Sequence, residues 1–184
     1  MSVTFSPLNK HDVNFSKSID LFFEAFPKVQ RLPAWVVKCR MRNGKNGFDV
    51  IYDENKWIGF IFTKKYKDIV SVKFFAISEL LRSSGYGSKV MACLNEKYSD
   101  KRIVLTIEEL DEQEENYQQR VKRKAFYEKN GFNSTGFIIR EPAERQEVLI
   151  CGGTTSKEEI EAMNRHFLGG LLFSLLKIEV LKIE

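Results

Sequence analysis

The sequence is poor in the residues that build metal sites and covalent cross-links. It has two histidines, His11 and His166, and three cysteines, Cys39, Cys93 and Cys151. The cysteines are widely spaced with no C-x-x-C pair, and the histidines stand far from one another and from any cysteine cluster. Neither a zinc site nor a disulfide framework is expected. So sparse and odd a cysteine count suits a reducing compartment, and the expected localisation is cytoplasmic. No run of about 18 apolar residues exists, which removes the expectation of a membrane-spanning helix. Met1 to Lys10 is mixed and polar, unlike an apolar leader. A concentrated charge of one sign is also lacking. The net charge of +4 is spread over both signs along the chain, too mild for a nucleic-acid-binding face. No internal repeat or low-complexity linker is visible.

What is present is the composition of a globular protein, 43% hydrophobic and 29% charged over 184 residues, enough for one core. The chain is organised around Ile69 to Tyr98. Ile69 to Ile77 alternates as a strand, with Val70, Val72, Phe74 and Ala76 on one face. Gly85 and Gly87 sit where a turn must become a helix, and Val90, Met91, Leu94 and Tyr98 then recur at helical spacing. A turn of this kind presents backbone N–H groups at the positive end of a helix, a ready-made site for a phosphate. It lacks the G-x-x-x-x-G-K-[ST] of a P-loop. It also lacks the third glycine of a dinucleotide fingerprint, since Lys89 and Val90 follow Gly87. The plainer reading is a strand–helix connection that needs glycine for tight packing.

Two motifs stand in order around this turn. Arg82-Ser83-Ser84-Gly85-Tyr86-Gly87 resembles the R/Q-x-x-G-x-G/A motif of the GNAT N-acetyltransferase superfamily, which holds the pyrophosphate of acyl-coenzyme A. Downstream, past one more strand, Ala125-Phe126-Tyr127-Glu128-Lys129-Asn130-Gly131-Phe132 resembles the family's later helix and its exit, F-Y-x-x-x-G-F. The resemblance covers roughly Phe48 to Cys151; the N-terminal residues fit it loosely and 152–184 lie outside it. It implies an α/β fold with a mixed, mostly antiparallel sheet, a splayed parallel pair and helices on both faces. The domain would span 1–151, with 152–184 an extension packed on the same domain or on a partner.

The resemblance also implies roles. Arg82, Ser83, Ser84, Gly85, Tyr86, Gly87 and Ser88 would hold the pyrophosphate of acetyl-CoA, mostly through backbone N–H groups. The backbone of Phe75, Ala76 and Ile77 would bond the pantetheine amides. Tyr127 would donate a proton to the departing thiolate, for which a phenol is a reasonable acid; its plainer reading is a half-buried aromatic on an amphipathic helix. Glu108 and Glu109, at the end of a buried strand, would take a proton from the attacking ammonium or hold a cationic acceptor by charge. Equally, they read as part of a solvated acidic loop. Many family members carry an asparagine seven residues before the tyrosine and an alanine four before. Arg120 and Arg123 stand there instead and are candidates for the cofactor phosphates, with Lys124 and Lys129 weaker ones.

The remaining chain reads as follows. Val3 to Leu8 is a first strand. Asn14 or Ser16 caps a helix with Ile19, Phe22, Phe23 and Phe26 on one face. A second helix starts at Pro33 and stops at Gly44; its Trp35, with Phe26, would border the acceptor pocket or simply pack. Phe48 to Tyr52 and Trp57 to Thr63 form a hairpin. Ile103 to Ile107 is a buried strand, and a helix runs from about Tyr117 to Asn130. Phe132 to Arg140 and Glu147 to Cys151 close the sheet. Ser156-x-x-Glu159 is a capping box. Leu171 to Glu184 fits an extra strand or an amphipathic helix equally well.

The expected function is N-acetyl transfer from acetyl-CoA to a primary amine by direct attack in a ternary complex. The acceptor would be a small molecule, such as a polyamine or aminoglycoside, or a peptide amine. No cysteine relay is expected, since neither Cys93 nor Cys151 has a histidine nearby in sequence. The alternatives are a non-catalytic acyl-CoA-binding sensor and an interaction module built on the apolar tail, which leaves a homodimer open.

Overall fold

The computed structural model describes residues 3–8, 11, 13–26, 47–142 and 144–183. The helix expected from Pro33 to Gly44, with Trp35, lies outside the described residues. The fold is α/β. Its eight strands form a mixed sheet, mostly antiparallel with one parallel pair. Contacts divide the chain into two units, Met1–Lys64 with Val72–Lys97, and Lys65–Ser71 with Tyr98–Glu184.

The first unit holds strands β1 (Val3–Pro7), β2 (Phe48–Asp53), β3 (Lys56–Tyr66) and most of β4 (Ile69–Ile77), in that order. The β2–β3 hairpin turns on only two residues, with Glu54 in the left-handed region at φ 55°. Helix α1 (Phe15–Ala25) buries Ile19, Leu21 and Phe22 against these strands. The core is aromatic. Phe48 and Phe62 stack at 4.0 Å, and Phe22 meets Phe74 edge-on at 4.9 Å, an arrangement that aromatic quadrupoles favour. Asn14 stands at the head of α1 but makes no cap bond. Its Nδ2 instead donates to the Tyr52 hydroxyl at 2.8 Å, tying the helix start to β2. Ser16 lies inside the helix, so neither residue expected to cap it does so. Helix α2 (Tyr86–Lys97) buries Val90, Met91 and Leu94, the expected periodic face.

The second unit holds β5 (Arg102–Glu108), β6 (Asn133–Glu141), β7 (Glu144–Cys151) and β8 (Glu179–Lys182), in the order β5-β7-β6-β8 with every neighbouring pair antiparallel. Helices α3 (Tyr117–Lys129), α4 (Lys157–Leu168) and α5 (Gly170–Leu175) complete it. The tail resolves its ambiguity by being both things. A short helix begins at Gly169, whose φ of 84° breaks α4, and β8 follows and pairs with β6. Phe173, Ile178 and Val180 are buried with Val104, Ile139, Val148, Ile150, Ile160 and Met163. The capping box is half formed. Ser156 Oγ accepts from the Glu159 N–H at 3.3 Å, but the Glu159 side chain turns elsewhere.

It turns to Arg102, at the start of β5. That guanidinium donates to both oxygens of Asp68 at 2.8 Å, to both oxygens of Glu159 at 2.6 Å and to the Thr154 carbonyl at 2.7 Å. One planar fork therefore holds the β3–β4 turn, β5 and α4 together. Gly152 and Gly153 make room for it: a Cβ on Gly153 would lie 3.1 Å from Arg102 Cδ. Hydrogen bonding to Arg102 is the main cause of the lowered pKa of both Asp68 and Glu159. A lowered folded-state pKa adds stability above the unfolded carboxylate value, lost as pH falls through the folded one. Arg102→Ala is expected to cost about 2 kcal/mol at pH 7 and to flatten the fall in stability below about pH 4.5, both read by denaturant melts across pH. An unchanged acid limb would show that the carboxylates are not held this way.

Candidate active site

The connection from β4 to α2 is built for a tight approach. A short 3-10 turn, Glu79–Leu81, follows β4. Ser83 and Gly85 then take left-handed φ values of 63° and 85°. Only glycine adopts these without strain, so Ser83 carries a local cost there. The helical ladder of α2 begins with Lys89 N–H to the Gly85 carbonyl at 3.2 Å. The amides before it, through Ser88, have no carbonyl of their own helix to bond. Such a run of amides at the positive helix end is an anion cradle. Arg82 flanks it but is engaged within the unit. Its Nη2 meets Glu24 of α1 at 2.8 Å and its Nε donates to the Ile77 carbonyl at 3.2 Å. Both members of the Arg82–Glu24 pair are about half exposed, so the bond is weak and easily exchanged for a stronger anion.

Phe75, Ala76 and Ile77 close β4 immediately before this turn. Gly59 of β3 packs backbone to backbone against them; a Cβ there would lie 2.1 Å from the Ala76 carbonyl oxygen. A lone glycine inside a strand pattern signals such an approach, and that signal in Trp57 to Thr63 was there to be read. The Glu24 contact to Arg82 was also missed, because contacts so remote in sequence leave no local trace.

The second unit gathers Glu108, Glu109, Arg120, Arg123 and Tyr127. Glu108 is the last residue of β5 and is buried. Arg123 closes an ion pair on its Oε2, an oxygen with no other polar partner among the described residues. Glu109 pairs with Arg145 of β7. Arg120 donates to the Glu109 carbonyl and to Asn116 Oδ1, both at 2.8 Å, and meets Glu114 at 3.0 Å. Lys124 holds the buried Glu147 at 2.8 Å. Glu108 and Glu109 are thus paired with Arg123 and Arg145, while Asp111 to Glu115 stay exposed, as a solvated acidic loop would be. Tyr127 packs against Phe126 and Phe132, with ring centroids 5.0 and 5.7 Å away. Desolvation of its hydroxyl pushes its pKa up to about 12, with Arg123 partly offsetting this. Gly131, at φ 89°, ends the helix, and the Phe132 N–H returns to the Tyr127 carbonyl at 3.1 Å. Among the described residues no cluster of metal-ligating side chains occurs.

Residues 44–134 match the model of the acetyltransferase (GNAT) domain. This segment, 91 of the 184 residues, holds both the phosphate-type turn and Tyr127, and it is similar to the GNAT acetyltransferase family. Acyl transfer is the reaction class of this family, and the activity it supports is acetyl transfer. Solved GNAT structures share the fold. A GNAT-family protein from Bacteroides thetaiotaomicron is 23% identical, with 92% of this chain and 98% of that one covered at a TM-score of 0.70. An aminoglycoside 6'-N-acetyltransferase complexed with coenzyme A is 15% identical, with 82% and 96% covered at 0.56. Arabidopsis thaliana Naa50, bound to a bisubstrate analogue, is 19% identical, with 82% and 98% covered at 0.54. No curated protein matches the sequence.

The ion pairs of this chain set an expectation for its basic helix. Lys124→Met would leave Glu147, whose side chain is 5% exposed, without its cation. That is expected to cost about 3 kcal/mol of stability with acetyl-CoA affinity unchanged. A large loss of affinity in the folded variant would instead make Lys124 a cofactor ligand.

Proposed function

We propose that the protein transfers the acetyl group of acetyl-CoA to a primary amine by direct attack in a ternary complex. The observation that carries this reading is the run of amides from Gly85 to Ser88, without a backbone partner among the described residues, at a turn where Ser83 and Gly85 are left-handed, in a segment matching the GNAT domain. Those amides would take the pyrophosphate, and Arg82 would exchange Glu24 for it. The backbone of Phe75 and Ala76 would meet the pantetheine amides; the Ile77 carbonyl already accepts from Arg82, which leaves its amide for that role.

Tyr127 would act on the departing sulfur. A phenol of pKa about 12 is protonated throughout the working range. It is also a weaker acid than a thiol, whose ordinary pKa is about 8.5. Full proton transfer to the thiolate is therefore uphill, and the environment favours a hydrogen bond that stabilises the thiolate as it forms. Glu108 and Glu109 would serve the amine, by accepting its proton or by holding a cationic acceptor. Arg123 already holds the Glu108 carboxylate in an ion pair. Glu109 is less buried and is held by Arg145, a pair that a cationic acceptor would have to displace. Arg120 has its donors engaged by Glu109, Asn116 and Glu114, whereas Arg123, with one nitrogen on Glu108 and its side chain 44% exposed, could still reach a phosphate. The aminoglycoside named for one neighbour and the bisubstrate analogue bound by another fit the amine chemistry, with polyamines a further class of cationic amine.

Free thiol released from acetyl-CoA would be recorded against polyamines, aminoglycosides, amino acids and short peptides. Release that depends on one class is expected. With that acceptor, Tyr127→Phe should lower kcat about 100-fold and leave the Kd for acetyl-CoA unchanged. Binding without turnover in any condition would favour an acyl-CoA sensor over an enzyme.

The pH profile gives a separate check. The acid form of Tyr127 is present below its pKa, so loss of its proton should not depress kcat between pH 7 and about 10. A falling limb near pH 9 that disappears in Tyr127→Phe would contradict this role.

A further inference from the structure

Tyr86 is the residue between the two glycines of the turn and the first residue of α2. Its hydroxyl is not left to solvent. It hydrogen-bonds the carboxylate of Asp53, the last residue of β2, which is only 8% exposed. The other carboxylate oxygen, Oδ1, is buried without a hydrogen-bond partner among the described residues. Two lysines flank the ring: Nζ of Lys89 lies 5.0 Å from the ring centroid and Nζ of Lys56 5.7 Å. Lys56 is also the register partner of Asp53 across the hairpin.

A buried carboxylate with one orphan oxygen is expensive, and an apolar residue of similar size would fill the space at less cost. A negative charge close to a turn that must attract phosphate is a further penalty. What Asp53 supplies in return is a fixed point for Tyr86, and through it for the backbone of Gly85 and Gly87. Both glycines lack side chains that would hold the turn, and glycine is the most conformationally free residue. Pre-ordering this turn before phosphate arrives lowers the entropy lost on binding.

Resting on the acetyl-CoA reading above, we propose that Asp53 is a positioning residue for the phosphate-binding turn, acting through the Tyr86 hydroxyl. Lys56 and Lys89 shield its charge from the phosphate, and their ammonium groups clamp the ring from the solvent side of the hairpin and of α2. The requirement is for a hydrogen-bond acceptor at position 53, not for charge.

The test uses Tyr86→Phe, Asp53→Ala and Asp53→Asn in the full chain, with acetyl-CoA as the probe in calorimetry. Tyr86→Phe and Asp53→Ala are expected to weaken binding about tenfold, while Asp53→Asn, which still accepts from Tyr86, binds like the parent protein. Without ligand, amide hydrogen exchange over residues 82–88 should quicken in the first two variants and not in Asp53→Asn. Tyr86→Phe removes one oxygen, so it keeps the test open if Asp53→Ala fails to fold. Unchanged exchange at 82–88 in Tyr86→Phe would overturn the positioning role, as would equal weakening by Asp53→Asn and Asp53→Ala. Failure of the parent protein to bind acetyl-CoA would sink the functional reading instead, and the exchange measurement would still decide the positioning role.

Discussion

The first amides of a helix have no carbonyl behind them, and the first unit is arranged around one set of these orphans. Everything that touches the Arg82–Ser88 turn serves to bare them. Ser83 and Gly85 bend the chain through left-handed conformations, and Gly59 lets β3 close on the end of β4 without a side chain between. Val90, Met91 and Leu94 bury the far side of α2, so the helix cannot roll to hide its N-terminus. The two side chains that reach out of the turn are tied at different strengths. Arg82 makes a weak, half-exposed pair with Glu24, and Tyr86 bonds a buried carboxylate. A loose cation and a fixed backbone are what the proposed anion site would need.

The second unit solves the opposite problem, excess charge in a small space. Glu108 and Glu147 are buried on neighbouring strands, a placement that would be prohibitive for bare carboxylates. Arg123 and Lys124, adjacent on α3, each take one of them. Arg120 and Arg145 bracket Glu109 from its backbone and side-chain ends. Both arginines carry ion pairs within the unit, and Arg123 acts by charge on Tyr127.

The fold was legible wherever period and punctuation agreed. The alternation from Ile69 to Ile77, the helical spacing from Val90 to Tyr98 and the stop at Gly131 each placed an element within a residue or two. The two motifs located the turn and Tyr127 because their chemistry is local in sequence. What was not legible depends on partners distant along the chain. The cap expected from Asn14 does not form, and its side chain instead donates from Nδ2 to Tyr52, far away in sequence. Glu159 leaves its capping box for Arg102 in the same way. The solvated acidic loop was one reading of Glu108 and Glu109, and only the folded arrangement of β5, β7 and α3 shows which cations claim them. The tail defeated periodicity because it is half helix and half strand, too short in each for a period to show.

The surroundings of Tyr127 bear on how such an enzyme would divide its work. Desolvation that raises a phenol to about pKa 12 makes it a poor source of free protons, and yet it strengthens the field of a neutral O–H donor. A thiolate is a good leaving group at neutral pH, and stabilising it needs only a donor that never ionises. A tyrosine held in this way meets that requirement over a wide pH range. A better acid in the same position would lose its proton as pH rises and would then repel the sulfur it should receive. The hard step for an amine acceptor is to lose its own proton before attack. Tyr127, neutral throughout that range, is therefore not the group expected to set the pH optimum.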